Sequence, residues 1–277
     1  MSAPTQPLTL DVPPRPPSPP RRGGAVRAVT AAVAAVLVAG GALSVLGSMT
    51  AVREQRTDTF TGPVTAVVVS TGTGDVQVSA DAGVAGVGVA RVTTTTVSGW
   101  SQADARAELR DGVLDLRGAC SRGGWPGRCS TDFDVVVPAG VEVRLDTGTG
   151  EQRLTGAFAA VVSEAGTGSL RWRGADGGRL DAEAGTGSVT VTGALDDVRV
   201  DAGTGDVRLE LDAAPGSVDV RTSTGDADVL VPDDGTAYAA EVSAGTGGER
   251  VDVPVDPSAD RRVLVSTGTG DARLSHR

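Results

Sequence analysis

Most of the chain repeats one pattern: apolar residues alternate with polar ones, a Gly-Thr-Gly turn follows, and the alternation resumes. From the second copy onward, successive copies begin 18, 19, 18, 20, 22 and 23 residues apart. A period near 20 residues is typical of stacked repeat folds. One degenerate copy, Ser223-Thr224-Gly225, keeps the spacing regular. The seven full copies begin at Gly72, Gly148, Gly166, Gly185, Gly203, Gly245 and Gly268.

Two positions of the pattern are apolar in every copy, and they indicate which side chains point inward. Period-two alternation on both sides of a glycine turn predicts two half-buried strands per copy. Because one copy cannot bury its apolar edge alone, we expect neighbouring copies to stack through parallel ladders. The residues five before the first glycine are Val67, Val143, Val161, Leu180, Val198, Val218, Ala240 and Val263. Those six after it are Val78, Leu154, Trp172, Val191, Leu209, Val229, Val251 and Leu274.

The repeats therefore predict an all-β domain over residues 60–277, a repetitive parallel β-solenoid-like fold with Gly-Thr-Gly turns. The alternative is a series of antiparallel hairpins packed as a sandwich, and the nearly constant spacing favours the stack. A different stretch, residues 80–139, forms an insert between the first and second copies. There we expect strands at Val87–Val97, Val113–Arg117 and Phe133–Val137, and a short helical turn at Ser101–Leu109.

The region before the repeats divides into three segments. Residues 1–24 are rich in proline and predict a disordered cytoplasmic tail. Residues 25–52 predict a transmembrane helix, because no charged residue occurs from Ala28 to Val52 and about 20 apolar residues span a bilayer. Arginines precede this segment, so the positive-inside rule places the N-terminus in the cytoplasm and the repeats outside. Residues 53–59 are interpreted as a linker. A cleaved signal peptide is the alternative, and export follows from either.

Net charge excludes one class of partner. The chain carries −10 overall, while residues 1–52 hold four arginines against one aspartate, so the remainder carries −13. Such an acidic exterior repels the phosphates of nucleic acid. The repeated glycines are not a nucleotide-binding loop, because the chain has no lysine to complete a phosphate-binding sequence. We therefore expect no cofactor.

The few residues capable of other chemistry point to structural roles. The single histidine, His276, has no plausible nucleophile partner, so a catalytic triad is not expected. Cys120 and Cys129 bracket a loop in an exported region and predict a disulfide. Trp172 occupies an inward position and is expected in the core, whereas Trp100 and Trp125 lie in the insert.

Four consecutive copies place a carboxylate two residues before the first glycine, on the outward phase. Parallel stacking would align them in a column at intervals of about 4.8 Å. We interpret the column as solvated carboxylates, with an ordered Ca²⁺ site as the alternative, and we assign no other metal site. The column consists of Asp146, Glu164, Glu183 and Asp201. A partial basic column on the other strand consists of Arg153, Arg171, Arg208, Arg250 and Arg273.

Two further sequences carry a family resemblance. Val-Pro-Ala-Gly-Val at 137–141 leads into Thr-Gly-Thr-Gly at 147–150, and Val-Pro-Asp-Asp-Gly at 231–235 leads into Gly-Thr-Gly at 245–247. Together with the repeated Gly-Thr-Gly-Asp, they resemble the bacterial putative-adhesin family of β-strand-repeat domains over about residues 60–277. The resemblance implies a β-solenoid-like cell-envelope domain and brings no catalytic residues.

These observations predict a membrane-anchored extracytoplasmic protein with a structural, adhesive or binding role in the bacterial envelope, and not an enzyme. A cell-wall polymer or an envelope protein is the expected partner. A sensory ectodomain for transmembrane signalling is the first alternative, although the cytoplasmic tail has only about 25 residues. A glycan-active β-helix enzyme is the second, and it would require a carboxylate pair in a cleft with aromatic subsites.

Overall fold

The computed structural model describes residues 51–81, 89–99, 101–121 and 128–277. Within these ranges the secondary structure is entirely β, so the predicted all-β class is confirmed. The strands are β1 (Val52–Thr61), β2 (Ala66–Thr73), β3 (Val76–Ala80), β4 (Val89–Ser98), β5 (Ala103–Arg110), β6 (Val113–Cys120), β7 (Cys129–Val137), β8 (Glu142–Thr149), β9 (Gln152–Thr155), β10 (Ala160–Thr167), β11 (Leu170–Asp176), β12 (Arg179–Thr186), β13 (Val189–Ala194), β14 (Asp197–Thr204), β15 (Val207–Leu211), β16 (Ser217–Thr224), β17 (Ala227–Val231), β18 (Ala239–Thr246), β19 (Glu249–Asp252), β20 (Arg262–Thr269) and β21 (Ala272–His276).

The strands form two sheets, and each repeat contributes one strand to each of them. The eleven-stranded sheet has the order β1-β4-β7-β3-β9-β11-β13-β15-β17-β21-β19. The ten-stranded sheet has the order β18-β20-β16-β14-β12-β10-β8-β2-β6-β5. Every pairing between Gly-Thr-Gly repeats is parallel, such as β8 with β10 and β9 with β11. The two strands of a repeat thus lie in different sheets, which excludes the hairpin alternative.

The turn between the two strands of a repeat requires glycine for a steric reason. Gly187, the second glycine of its turn, has a φ of +144°, which side chains rarely adopt. A Cβ atom at this position would lie 1.8 Å from the carbonyl oxygen of Gly168 in the neighbouring turn. The corners of adjacent repeats therefore stack backbone against backbone.

The predicted inward side chains form the core between the sheets. All sixteen are buried except Ala240, which is partly buried, and Val251, which is 45% exposed. Both exceptions belong to β18 and β19, the outermost strands at one end of the stack. Trp172 is fully buried, and its indole N–H donates a 2.9 Å hydrogen bond to the carbonyl of Gly156.

One fully buried polar side chain ties the two sheets together. Gln152 occupies an inward position at the start of β9. Its Nε2 donates to Thr147 Oγ1 at 2.8 Å and to the Glu164 carbonyl at 3.1 Å, while Ser163 Oγ donates to its Oε1 at 2.5 Å. Both ends of the amide are therefore satisfied, as burial of a polar group requires.

The last two repeats stack in the reverse of their sequence order. In both sheets the strand of the β20–β21 repeat lies between that of β16–β17 and that of β18–β19. The chain therefore passes over one repeat position after β17 and returns to fill it. The spacings at the exchanged repeats, 22 and 23 residues against 18 to 20 elsewhere from the second copy onward, leave room for the longer connections that this order needs.

The insert extends both sheets at the opposite end of the stack. The predicted strands correspond to β4, β6 and β7, but the helical turn expected at Ser101–Leu109 is wrong. That segment forms β5, antiparallel to β6. Apolar residues alternate with charged ones from Ala103 to Arg110, a period of two that suits a strand.

The segments before the repeats are only partly described. Residues 53–59, interpreted as a linker, lie within β1, which pairs with β4 along its whole length and is antiparallel to it. Pairing with a neighbouring strand explains the difference, because ten register partners hold β1 in the sheet. The predicted tail and nearly all of the predicted membrane helix lie outside the described residues. Within the described ranges, none of the secondary structure is a helix able to cross a membrane.

Candidate functional site: the carboxylate face

The four outward carboxylates form a column on the ten-stranded sheet. Asp146 on β8 is the register partner of Glu164 on β10, which in turn pairs with Glu183 on β12. Glu183 pairs with Asp201 on β14. Parallel neighbours lie about 4.8 Å apart, so the side chains form a line rather than a ring around one point.

An open groove of about 910 Å³ runs beside this column. Its lining includes the column itself and the first glycine of each turn, which presents backbone and no side chain. Arg221 and Ser266 continue the lining at one end. The glycines of the groove are Gly148, Gly166, Gly185, Gly203 and Gly268. We call this surface, the column with its groove, the carboxylate face.

A column of threonines runs parallel to the groove. Each is the residue after the first glycine, each is exposed, and each is the register partner of the next. The members of this column are Thr149, Thr167, Thr186 and Thr204, and none of them lines the groove. The hydroxyl groups recur at the same repeat distance as the carboxylates, three residues further along each strand, but outside the carboxylate face.

Only part of the column is neutralised. Arg144 donates to Glu164 at 2.6 Å, and Arg199 binds Asp201 at 3.0 Å. The hydrogen bond to Asp201 raises the pKa of Arg199 above its usual value. Asp146 and Glu183 have no ion-pair partner among the residues described. The groove therefore keeps a negative character.

The carboxylates of the column lie in a line, and this geometry bears on whether they could hold an ordered Ca²⁺ ion. Across the part of the chain that the structure describes, no three acidic, histidine or cysteine side chains converge closely enough to hold a metal ion. Ca²⁺ takes six to eight oxygen ligands around one centre, whereas neighbouring members of the column face the same way.

The basic column on the eleven-stranded sheet is neutralised by its neighbours. Arg153 and Arg171 both bind Glu151. Arg273 binds Asp228 at 3.2 Å, and this hydrogen bond raises the pKa of Arg273. Arg208 and Arg250 are likewise paired, with Glu210 at 2.8 Å and Asp252 at 3.1 Å. Every arginine of the basic column is thus ion-paired, whereas two of the four carboxylates in the acidic column, Asp146 and Glu183, have no ion-pair partner among the residues described.

The remaining predicted residues lie away from the carboxylate face. Cys120 at the end of β6 and Cys129 at the start of β7 are joined by a disulfide, which closes the connection between these strands. His276 Nδ1 lies 3.3 Å from the Pro232 carbonyl oxygen, near the connection between β17 and β18. Trp100 and Trp125 lie outside the described residues.

One functional feature of the turns was not expected from the sequence. The aspartate that follows several Gly-Thr-Gly turns accepts a hydrogen bond from the backbone N–H at the same position of the next repeat. Asp206 Oδ1 accepts from Asp226 N at 3.0 Å, and Asp226 Oδ1 accepts from Asp271 N at 2.9 Å. Asp75 and Asp132 act in the same way at the other end of the stack. The recurrence of Gly-Thr-Gly-Asp was the available signal.

Comparison with known proteins finds similarity only among solved structures. No family model and no curated protein matches the chain. A putative adhesin from Bacteroides fragilis is 13% identical, with a TM-score of 0.48, covering 80% of this chain and 97% of its own. A putative cell adhesion protein from Clostridium sporogenes is 12% identical, with a TM-score of 0.38, covering 81% and 100%. A putative lipid binding protein from Parabacteroides distasonis is 10% identical, with a TM-score of 0.39, covering 81% and 97%.

Proposed function

We propose that this chain is a membrane-anchored, extracytoplasmic β-solenoid-like protein of the bacterial cell envelope, whose carboxylate face binds a cell-wall polymer. The observation that carries the proposal is the register of the face. Carboxylates and bare glycine backbone recur with one spacing along four successive repeats. A ligand that presents amines or hydroxyls periodically along an extended chain can use equivalent contacts in each repeat.

Several weak contacts with the same polymer can together give such a surface useful affinity. Each exposed contact contributes little, because ion pairs at a surface are worth roughly 0–1 kcal/mol. Several equivalent contacts on one polymer act together, since the first raises the effective concentration of the next. A continuous groove therefore suits adhesion to a polymer better than capture of a small molecule.

The anchor is supported by the order of segments along the chain. An uncharged stretch, Ala28–Val52, follows a cluster of arginines and ends at the first residue of β1. An exported location also suits the disulfide between Cys120 and Cys129, because such bonds persist in oxidising compartments. Fractionation of cells, with protease added to intact cells, tests this part: residues 51–277 should be digested from outside.

A binding role without catalysis is part of the proposal. Sugar-cleaving sites place two carboxylates in a cleft beside aromatic platforms. Here the carboxylates follow one another along an open sheet face, and Trp172 is buried in the core, where it cannot stack on a sugar.

Binding to purified wall polymer tests the function. The variant Asp146→Asn/Glu164→Gln/Glu183→Gln/Asp201→Asn removes the column with little change in shape. Its matched control neutralises four exposed carboxylates outside the groove: Glu142→Gln/Asp233→Asn/Glu241→Gln/Asp252→Asn.

We expect the column variant to bind wall polymer at least about tenfold more weakly, a loss near 1.4 kcal/mol. The control variant should bind as the parent does. Binding should also weaken as salt is raised toward 1 M, where charges are screened within about 3 Å. Equal binding by the two variants would contradict the assignment of the carboxylate face.

A further inference from the structure

The repeat β20–β21 occupies a position between two repeats that both precede it in the chain. In the ten-stranded sheet, Val265 lies between Val220 on β16 and Val242 on β18. In the eleven-stranded sheet, Arg273 lies between Asp228 on β17 and Arg250 on β19. This repeat therefore has a neighbour on each side that precedes it in the sequence, unlike a repeat added at the end of a stack.

The two sides of the gap are also complementary to each other. If β18–β19 stacked directly on β16–β17 in the same register, Val242 would face Val220 and Arg250 would face Asp228. The turns match as well. Asp271 Oδ1 accepts from Gly248 N at 2.7 Å, and Asp226 Oδ1 accepts from Asp271 N at 2.9 Å. Without β20–β21, the same Asp226 oxygen could accept from Gly248 N.

The connections on either side of the gap are long enough for both arrangements. Two residues suffice to step from one repeat to the next between β11 and β12 and between β13 and β14. Residues 232–238, which join β17 to β18, number seven, and residues 253–261, which join β19 to β20, number nine. The first connection can span one step as well as two.

One side chain in these connections lowers the stability of the observed arrangement. Tyr238, just before β18, is fully buried, and its hydroxyl has no hydrogen-bond partner among the described residues. Its backbone N–H and carbonyl bond to Pro254 and Asp256 in the second connection. A buried, unpaired hydroxyl is destabilising, so the arrangement with β20–β21 inserted carries an unfavourable group in the connection from β17 to β18.

We propose that the β20–β21 repeat leaves the stack as a unit, and that β18–β19 then closes directly onto β16–β17. The inserted arrangement is the ground state, because it buries Val263, Val265, Ala272 and Leu274 completely. Closure of the gap lowers the cost of release, since it remakes the ladders and the turn contact that release breaks. Ser266 and Gly268 line the end of the groove, so release shortens the carboxylate face by one repeat.

Cysteine trapping in the full chain, with the native disulfide intact, tests the proposal. Leu230 and Asp252 both have Ser275 as register partner, so they lie two strands apart, roughly 9.6 Å, and become neighbours at about 4.8 Å only after closure. A disulfide requires Cα atoms about 4.4–6.8 Å apart, so the pair Leu230→Cys/Asp252→Cys reports closure. The matched control is Arg173→Cys/Glu210→Cys, which lie two strands apart around Thr192 in a repeat with sequence neighbours on both sides. The pair Thr192→Cys/Glu210→Cys, which are neighbours, shows that the chemistry works.

We expect the Leu230/Asp252 pair to oxidise at least about tenfold faster than the control pair. Trypsin should then cut the trapped protein at Arg261 and Arg262, while Tyr238→Phe should slow the trapping. A rate no faster than that of the control, with the neighbouring pair oxidising readily, overturns the proposal. Hydrogen exchange of the unmodified chain is an independent measurement: β20 and β21 should exchange together, at least about tenfold faster than β12 and β13. Equal protection of the two repeats also overturns it.

Discussion

The two glycines of a single turn should respond very differently to the same substitution. Gly185 and Gly187 flank Thr186 at the end of β12, and both can be changed to alanine. At Gly187 the φ of +144° is unfavourable for alanine, and the new Cβ would lie 1.8 Å from the carbonyl oxygen of Gly168. At Gly185 the backbone has no such φ, and the Cβ would lie 2.6 Å from the Gly166 carbonyl oxygen.

The magnitudes follow from these contacts. Backbone strain at Gly187 costs roughly 1–3 kcal/mol. Relief of the clash must move the turns of Gly168 and Gly187 apart, which weakens the 2.8 Å bond from Gly168 N to the Thr186 carbonyl. This bond contributes about 1 kcal/mol. Gly187→Ala should therefore destabilise the protein by about 2–4 kcal/mol.

Gly185→Ala should cost about 1 kcal/mol or less. The degenerate repeat provides the reason, because Ser223 holds a side chain at the position equivalent to Gly185. A small shift of the neighbouring carbonyl therefore accommodates a Cβ there. Alanine also lowers the entropy of the unfolded chain, which offsets part of the clash.

Urea denaturation of both variants, followed by circular dichroism, measures the difference. With a slope near 2 kcal/mol/M, Gly187→Ala should lower the midpoint by more than about 1 M, and Gly185→Ala by less than about 0.5 M. Equal shifts, or a larger shift for Gly185→Ala, would refute the argument that close stacking of the corners selects the second glycine.

Three further sets of substitutions test contacts in the repeats and in the insert. Asp206→Ala should lower stability by about 1 kcal/mol in urea denaturation, whereas Asp206→Asn, which keeps an acceptor oxygen, should cost clearly less. Gln152→Leu should cost about 1–3 kcal/mol by leaving buried hydroxyls unpaired, and adding Ser163→Ala should recover part of this loss in a double-mutant cycle. Cys120→Ser/Cys129→Ser should lower stability by about 2–3 kcal/mol, because the disulfide restricts the unfolded chain. A denaturation midpoint unchanged from that of the parent would contradict this stabilising role of the disulfide.

The sequence predicts the fold best at positions where every repeat has the same type of residue. Val161, Leu180 and Val198 are inward in the structure because alternation and turn position agree in every copy. The register of the carboxylate column follows from the same alignment, since parallel strands with identical turns pair residue by residue. For these residues, the alternation within one repeat is enough to predict the position in the folded stack.

The differences arise where the deciding contacts are not local. Ser101–Leu109 has the period of a strand, yet only pairing with β6 fixes it as β5. The alternation does not fix the exchanged order of the last two repeats, because β16, β18 and β20 are nearly equivalent as neighbours, and the longer spacings there permit the exchange without requiring it. The turn aspartates were recognised as part of a recurring sequence, but their hydrogen bonds depend on how closely the corners stack.

Because the repeats stack in register, the residue type at one position of the repeat determines the charge along a whole face. On the eleven-stranded sheet, Arg208 meets Glu210 two residues further along β15 and Asp228 on the next strand, β17, so its charge is cancelled within the face. An outward carboxylate two residues before a turn meets another carboxylate in the next repeat. Bare glycine backbone beside it supplies no countercharge. The acidic groove is therefore a consequence of register: moving one carboxylate by two residues along its strand would break the column, while the core and the turns would remain unchanged.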